Sequence, residues 1–363
     1  MTKSKKLLVL LSTLVAAAIV IGVCRRPSAQ MSQVAGEELT IDTLLPVTPV
    51  KSQGKSPLCW IYAMLATIET DRIAQGDSVN LSPAYVARCF LAQQARRYYQ
   101  SRGKSAMSLR GMMTMTLKVL EENGVQPYDY YRKADKVNWN VLQRRVIQLA
   151  DAALSRGEEL GSFERQMGEL LDEETDFMPR YVHMLGAEYT SEEFGRSVVM
   201  PGDWLAMTSF THHPFGESFV LELADNQFQD SYLNVPLDTL VEAVHRSLLA
   251  GHPVCWEGDI SERGFSFENG FAELDETVAS GTADTADNPA QKRRQRQFER
   301  RQTTDDHCMA LVGLAHDSSG RRYYIAKNSW GTGNPFGGLM YLSEDYLRMK
   351  TIAVVIRSDL LKN

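Results

Sequence analysis

The sequence predicts an α+β fold, and three observations predict it. A nearly all-apolar run from Ile61 to Ile68 sits within a helical segment that ends near Ala74 and stops at Gly76, the pattern of a helix buried at the centre of a domain. A charged block from Asn138 to Met200 carries apolar residues at helical spacing: Val141, Val146, Leu149 and Leu154, then Met167, Leu170 and Leu171. The second half holds short apolar runs at Met309–Ala315, Tyr323–Lys327, Leu339–Leu342 and Ile352–Ile356, which read as strands of one sheet.

With 363 residues and 44% hydrophobic content, the chain can bury a large core. Its net charge of −6 gives no reason to expect nucleic acid as a partner. The five cysteines, Cys24, Cys59, Cys89, Cys255 and Cys308, show no paired metal-ligand spacing, so neither metal nor cofactor is expected.

Along the chain, residues 1–29 read as a signal peptide or signal anchor. Lys3, Lys5 and Lys6 precede an apolar run from Leu7 to Cys24, and Arg25 and Arg26 follow it. The expectation is an exported protein, periplasmic or extracellular, either processed near Ala29 or tethered to a membrane through this run. Residues 30–45 read as a flexible linker. In Gln53-Gly54-Lys55-Ser56-Pro57-Leu58-Cys59-Trp60, Ser56 fits a helix N-cap and Pro57 the first helical position, which sets Cys59 in the first turn. There the positive end of the helix dipole favours thiolate over thiol. Gln53 offers an amide donor that can meet the same substrate oxygen as the Cys59 N–H, an oxyanion hole in outline.

Leu81-Ser82-Pro83 opens a second helix running towards Tyr99, and Ser108 to Glu122 reads as a third, ended by Asn123 and Gly124. The block at about 138–200 reads as a helical insertion. Pro236–Leu249 is an amphipathic helix followed by a strand at Pro253–Trp256. The stretch at about 271–302 loses periodicity and reads as a flexible loop, its basic residues Lys292, Arg293, Arg294 and Arg296 solvated.

Further on, Asp305-Asp306-His307-Cys308-Met309 places a histidine at a strand start, and Ile325-Ala326-Lys327-Asn328-Ser329-Trp330-Gly331 places an asparagine at a strand end. Gln53, Cys59, His307 and Asn328, in this order and with these neighbours, resemble the papain-like cysteine peptidases. The resemblance implies a papain-like two-domain fold over residues 46–357, with a helical left domain carrying Cys59, a β-barrel-like right domain carrying His307, and a cleft between them. His307 follows Cys59 by 248 residues, against ~130–150 in the common spacing of that family. Thr208–Phe215, Tyr232–Leu240 and Asp305-Asp306-His307 are similar to the bleomycin-hydrolase and aminopeptidase C branch, which carries helical insertions. Leu58 is bulkier than the residue usual at its position there.

In this reading His307 takes the proton of Cys59 and returns it to the leaving amine, Asn328 fixes the imidazole, Trp330 shields that bond, and Gln53 joins the oxyanion hole. The implied function is peptide-bond hydrolysis on a peptide or protein substrate; the alternative is a catalytically silent protein that keeps the fold to bind peptides. Residues 358–363 form a tail. In the branch named, the end of the chain lies in the cleft, so the resemblance points to an aminopeptidase in which Asn363 pairs with the substrate ammonium group; the alternative is a frayed terminus and an endopeptidase. Substrate-binding side chains and oligomeric state are not readable. His212 and His213 adjoin, and on a strand they would face apart, which makes a poor metal pair. His252 with Cys255 lacks partners, and Cys308 is expected in the core, facing away from His307.

Overall fold

The computed structural model of the protein describes residues 32–34, 37–131, 136–184, 186–274 and 289–361. The leader with Cys24, residues 275–288, Lys362 and Asn363 lie outside the described residues. Among the described residues no helix is long and apolar enough to cross a membrane.

The central helix spans Cys59–Ala74 and buries Trp60, Ile61, Met64, Leu65 and Ile68. It begins two residues later than Ser56 and Pro57 suggest. The Ser56 hydroxyl donates to the Gln53 carbonyl at 2.6 Å, closing a turn in which Gly54 has φ +60°, and such local bonding competes with capping. Leu58 takes the cap position instead, its carbonyl accepting from the N–H groups of Ile61 and Tyr62 at 3.0 and 3.2 Å. Its bulky side chain is buried in the helical core.

Helix Pro83–Gln100 starts as expected, with the Ser82 side chain accepting from the Tyr85 N–H. The third helix is shorter than its sequence suggests, Met113–Asn123. Residues 108–112 are held extended because Gln94 bonds both the N–H and the carbonyl of Ser108 and the Trp60 indole donates to the Leu109 carbonyl at 3.0 Å. A side chain at Gly111 would meet the Trp60 ring at 2.9 Å.

The insertion is not wholly helical. Helices Trp139–Arg156 and Leu160–Thr175 are followed by a hairpin, Tyr181–Met184 with Ala187–Thr190, and a short helix, Ser191–Val198. Leu142, Val146, Ala150 and Ala153 form the buried stripe of the first helix, whereas Val141 is exposed.

The large sheet runs, in spatial order, Ser218–Val220, Ser231–Asn234, Trp204–Thr208, Thr351–Arg357, Val254–Gly258, His307–His316, Arg322–Lys327, Leu339–Ser343, Phe271–Ala272 and Phe265–Ser266. The segment read as a linker is in fact part of it: Glu37–Leu44 pairs antiparallel with His307–His316, Gly313 opposite Leu44 and His316 opposite Thr40. Leu39, Ile41 and Thr43 alternate with more exposed neighbours, the period of a half-buried strand. The central helix packs on the His307–His316 strand. Helices on one side of that contact and sheet on the other make the α+β, papain-like arrangement.

One further expectation is corrected, and another falls partly outside the described residues. The stretch read as a loop at 271–302 contains strand Phe271–Ala272 and helix Pro289–Glu299. In that helix Arg294 is buried, donating from Nε to the Ser209 carbonyl at 3.0 Å with its guanidinium 4.8 Å from the centre of the Phe210 ring. Lys292 and Arg296 are exposed, so the basic residues form no single patch. The described part of the tail does not lead towards His307, and Asn363, the residue expected to pair with the substrate, lies outside the described residues. Thr351, at one end of its strand, pairs with Gly258, as His307 does, whereas Arg357 at the other end pairs with Trp204. Those six steps cover roughly 20 Å. Ser358–Leu361 then forms a short 3-10 turn at the far end, held by Ser358 on the carbonyls of Asp203 and Gly202.

Candidate active site

Strand register builds the site. Ala310 lies opposite Lys327 in the antiparallel pair, so continuing that pairing sets His307 against the chain from Asn328 to Trp330. His307 Nε2 lies 2.8 Å from Asn328 Oδ1, which leaves Nδ1 as the nitrogen available to a partner. The Asn328 Oδ1 also accepts from the Ser329 N–H at 2.7 Å. Trp330 covers the imidazole with ring centroids 4.7 Å apart, and Phe265 and Phe267 meet Trp330 edge-on at 5.9 and 5.3 Å.

The central helix supplies the thiol. Cys59 is its first residue, where backbone N–H groups have no intrahelical partner. Its thiol is held well below the ordinary cysteine range, first by a hydrogen bond from Cys308 and then by the hydrogen bond and charge of His307, which together outweigh burial. Cys308 is buried as expected, and its thiol also reaches that of Cys59. Strand alternation turns it from the His307 side onto the face covered by the first turn of the central helix, and its own thiol is pushed well above its usual range, mainly by burial.

Gln53 is brought to the same cleft. Its N–H donates to the Ser329 carbonyl at 2.8 Å, its Oε1 accepts from the Ser329 hydroxyl at 2.5 Å, and its Nε2 donates to the Ser56 carbonyl at 2.7 Å. An amide nitrogen carries two hydrogens, so one remains for a ligand. All four residues singled out in the sequence, Gln53, Cys59, His307 and Asn328, therefore converge.

The cleft holds about 140 Å³ and is lined by Cys59, His307, Gln53 and Trp330 together with Arg110, Asp225, Glu257 and Asp305. The last four were not found from sequence. Only Asp305, two residues before His307, stood near a recognisable motif. Larger concavities of about 530 and 580 Å³ lie near Trp204 and near Leu360. They lack a thiol or imidazole, and it is the reactive constellation rather than volume that marks a site.

Among the remaining histidines, His316 pairs with Asp42, whereas the buried Nδ1 of His245 has no hydrogen-bond partner among the described residues. His252 Nδ1 lies 2.7 Å from Asp71. His212 and His213 sit in a turn rather than a strand, and both face Glu222, at 3.3 and 2.5 Å. Those three side chains could surround an ion by position alone. The Gln295 amide, however, donates to His212 Nδ1 at 3.0 Å, which puts the ring proton on Nε2, facing Glu222, where a metal ligand would need a lone pair.

Residues 200–363 match the Peptidase C1-like family, a span that includes His307 and Asn328 but not Cys59. Aminopeptidase W of Lactobacillus delbrueckii subsp. lactis is 26% identical over 172 residues, 44% of this chain and 38% of that protein. Ananain of Ananas comosus is 40% identical over 40 residues, 11% of this chain and 12% of that protein. The chain thus aligns with well under two thirds of either relative's length. The solved structure of PepW from Lactobacillus rhamnosis superposes with a TM-score of 0.67 at 16% identity, covering 88% of this chain and 82% of that one.

Proposed function

We propose that this chain, whose residues 200–363 belong to the Peptidase C1-like family and whose fold is papain-like, is a cysteine peptidase. The observation that carries the reading is the line from Cys59, at the helix start, through His307 to Asn328 at 2.8 Å. His307 draws the Cys59 proton, and the thiolate attacks the scissile carbonyl. The Cys59 N–H and the Gln53 amide stabilise the resulting oxyanion, a contribution of about 2.7–4 kcal/mol per donor in comparable sites. Collapse of that intermediate expels the amine, which takes the proton from His307, and water then hydrolyses the thioester with His307 as base. Asn328 holds the ring in the tautomer this sequence needs.

Aminopeptidase action is favoured over internal cleavage by the similarity to Aminopeptidase W, although the tail-in-cleft device expected for it has no support from the position of Ser358–Leu361. We further infer export through the apolar run Leu7 to Cys24. The test of activity is turnover of a fluorogenic peptide library by the full chain beside a Cys59→Ala control. Turnover lost in the control supports the reading; a wild-type protein that binds peptides and cleaves none establishes the silent binding protein instead.

A further inference from the structure

Beside Cys59 the cleft presents carboxylates with too few cations to match them. Asp225, Glu257, Asp305 and Asp306 line it, against Arg110 and His307, and the charge of His307 is matched by Cys59. Arg110 is already committed: its Nε donates to Asp225 Oδ2 at 2.6 Å, and its Nη2 donates to the backbone carbonyl of Asp305, not the carboxylate, at 3.1 Å. Among the described residues no ion pair joins Glu257 or Asp305.

Glu257 is the sharper anomaly. It lies on the inner strand Val254–Gly258, directly opposite Cys308, and is 2% exposed, yet its Oε2 has no hydrogen-bond partner. The carboxyl accepts from the Met113 backbone N–H, so it is held from one side while its second oxygen, buried and unbonded, costs stability. Burial, with Asp305, Cys59 and Asp225 adding to it, holds its proton far above the usual carboxylate range. A cation entering the pocket would replace that proton and leave a carboxylate paired with the newcomer, which is the favourable way to bury such a charge.

We propose that Glu257 and Asp305 form a cation-binding subsite adjoining Cys59, which takes an alkylammonium or guanidinium group of the substrate. The proposal rests on the peptidase reading for its catalytic consequence, though not for binding itself. Such a group has two sources on a peptide, the free α-ammonium of its first residue and the side chain of Lys or Arg.

The test has two parts. In the first, kcat/KM is measured for aminoacyl coumarylamides of arginine, lysine and norleucine, each with a free or acetylated amino group, using the wild type and the Glu257→Gln and Asp305→Asn variants. The wild type prefers cationic substrates by about tenfold or more over neutral ones of similar shape, and each substitution shrinks that ratio. Loss of activity on acetylation identifies the α-ammonium as the source, and retained preference for acetyl-arginine over acetyl-norleucine identifies the side chain. In the second part, argininamide and butylammonium are tested for protection of Cys59 against iodoacetamide, with capronamide as the neutral control. Protection by the cations alone upholds the subsite even where no peptide is turned over, in which case the peptidase reading falls and this one stands. Turnover without cation preference, together with equal protection by cation and neutral control, overturns the subsite and leaves the peptidase reading intact. Because Asp305 lies at the cleft while Glu257 is inside the sheet, the Asp305→Asn result decides the matter if Glu257→Gln does not fold.

Discussion

Glu69 on the central helix and Lys327, the residue before Asn328, lie 3.9 Å apart with both side chains buried. Glu69 also accepts from the Thr48 hydroxyl at 2.5 Å, the Lys51 ammonium at 2.6 Å and the Leu81 N–H at 2.6 Å, and Lys327 donates to the same Thr48 hydroxyl at 2.7 Å. One carboxylate thereby ties the helix that starts with Cys59 to the segment leading to Gln53 and to the strand leading to Asn328. Burial lowers the Lys327 ammonium to about 8 against the opposing pull of Glu69. Removing one partner of a buried charged network costs about 3–5 kcal/mol. Glu69→Gln is expected to lose that much in urea unfolding, and a loss below about 1 kcal/mol would show the network to be dispensable.

Thiol reactivity separates Cys59 from the other described cysteines. Burial pushes Cys89 up to about 12 and raises Cys255 and Cys308 as well, whereas Cys59 is lowered. Brief iodoacetamide or epoxysuccinyl labelling followed by peptide mapping is expected to find Cys59 modified first. Equal labelling of all four would remove the basis for its activation.

Asn328 acts on His307, not on substrate, so its loss weakens the site without emptying it. A hydrogen bond to a charged group is worth about 1.5–3 kcal/mol, and Asn328→Ala is expected to lower kcat about 10- to 100-fold. His307→Ala removes the base itself and should cost about 10⁴-fold or more. Matched steady-state kinetics on both variants check this; an Asn328→Ala enzyme of wild-type activity would mean that another group holds the ring.

The cation preference has a pH signature. Asp305 is raised to about 6, chiefly by burial, with Asp225 and Asp306 raising it and Arg110 opposing them; Glu257 shares the pocket. Below that value Asp305 is protonated and the subsite loses charge; above it the carboxylate is present. The ratio of kcat/KM for cationic over neutral substrates is therefore expected to rise as pH increases through about 6 and to do so less in Asp305→Asn. Taking the ratio cancels the titration of Cys59 and His307, which both substrates share.

Export is checked by fractionating cells and sequencing the N-terminus of the isolated protein. The basic start and the run from Leu7 to Cys24 predict a protein outside the cytoplasm. A soluble cytoplasmic protein beginning at Met1 would refute it.

Sequence by itself singled out Gln53, Cys59, His307 and Asn328, because the chemistry proposed for them constrains residue type and order, and those are visible in one dimension. It also determined the central helix, whose burial is written in uninterrupted apolar residues, and the main strands from Met309 onward. Tertiary structure decided what depends on partners distant in the chain. Glu37–Leu44 is a strand because the edge of His307–His316 is there to receive it. Residues 108–112 stay extended because Trp60 and Gln94 hold their carbonyls and N–H groups. Glu257 and Asp305 are 48 residues apart, and nothing local to either shows that sheet pairing will bury one beside Cys59 and set the other at the same cleft. The charge of that pocket comes from packing.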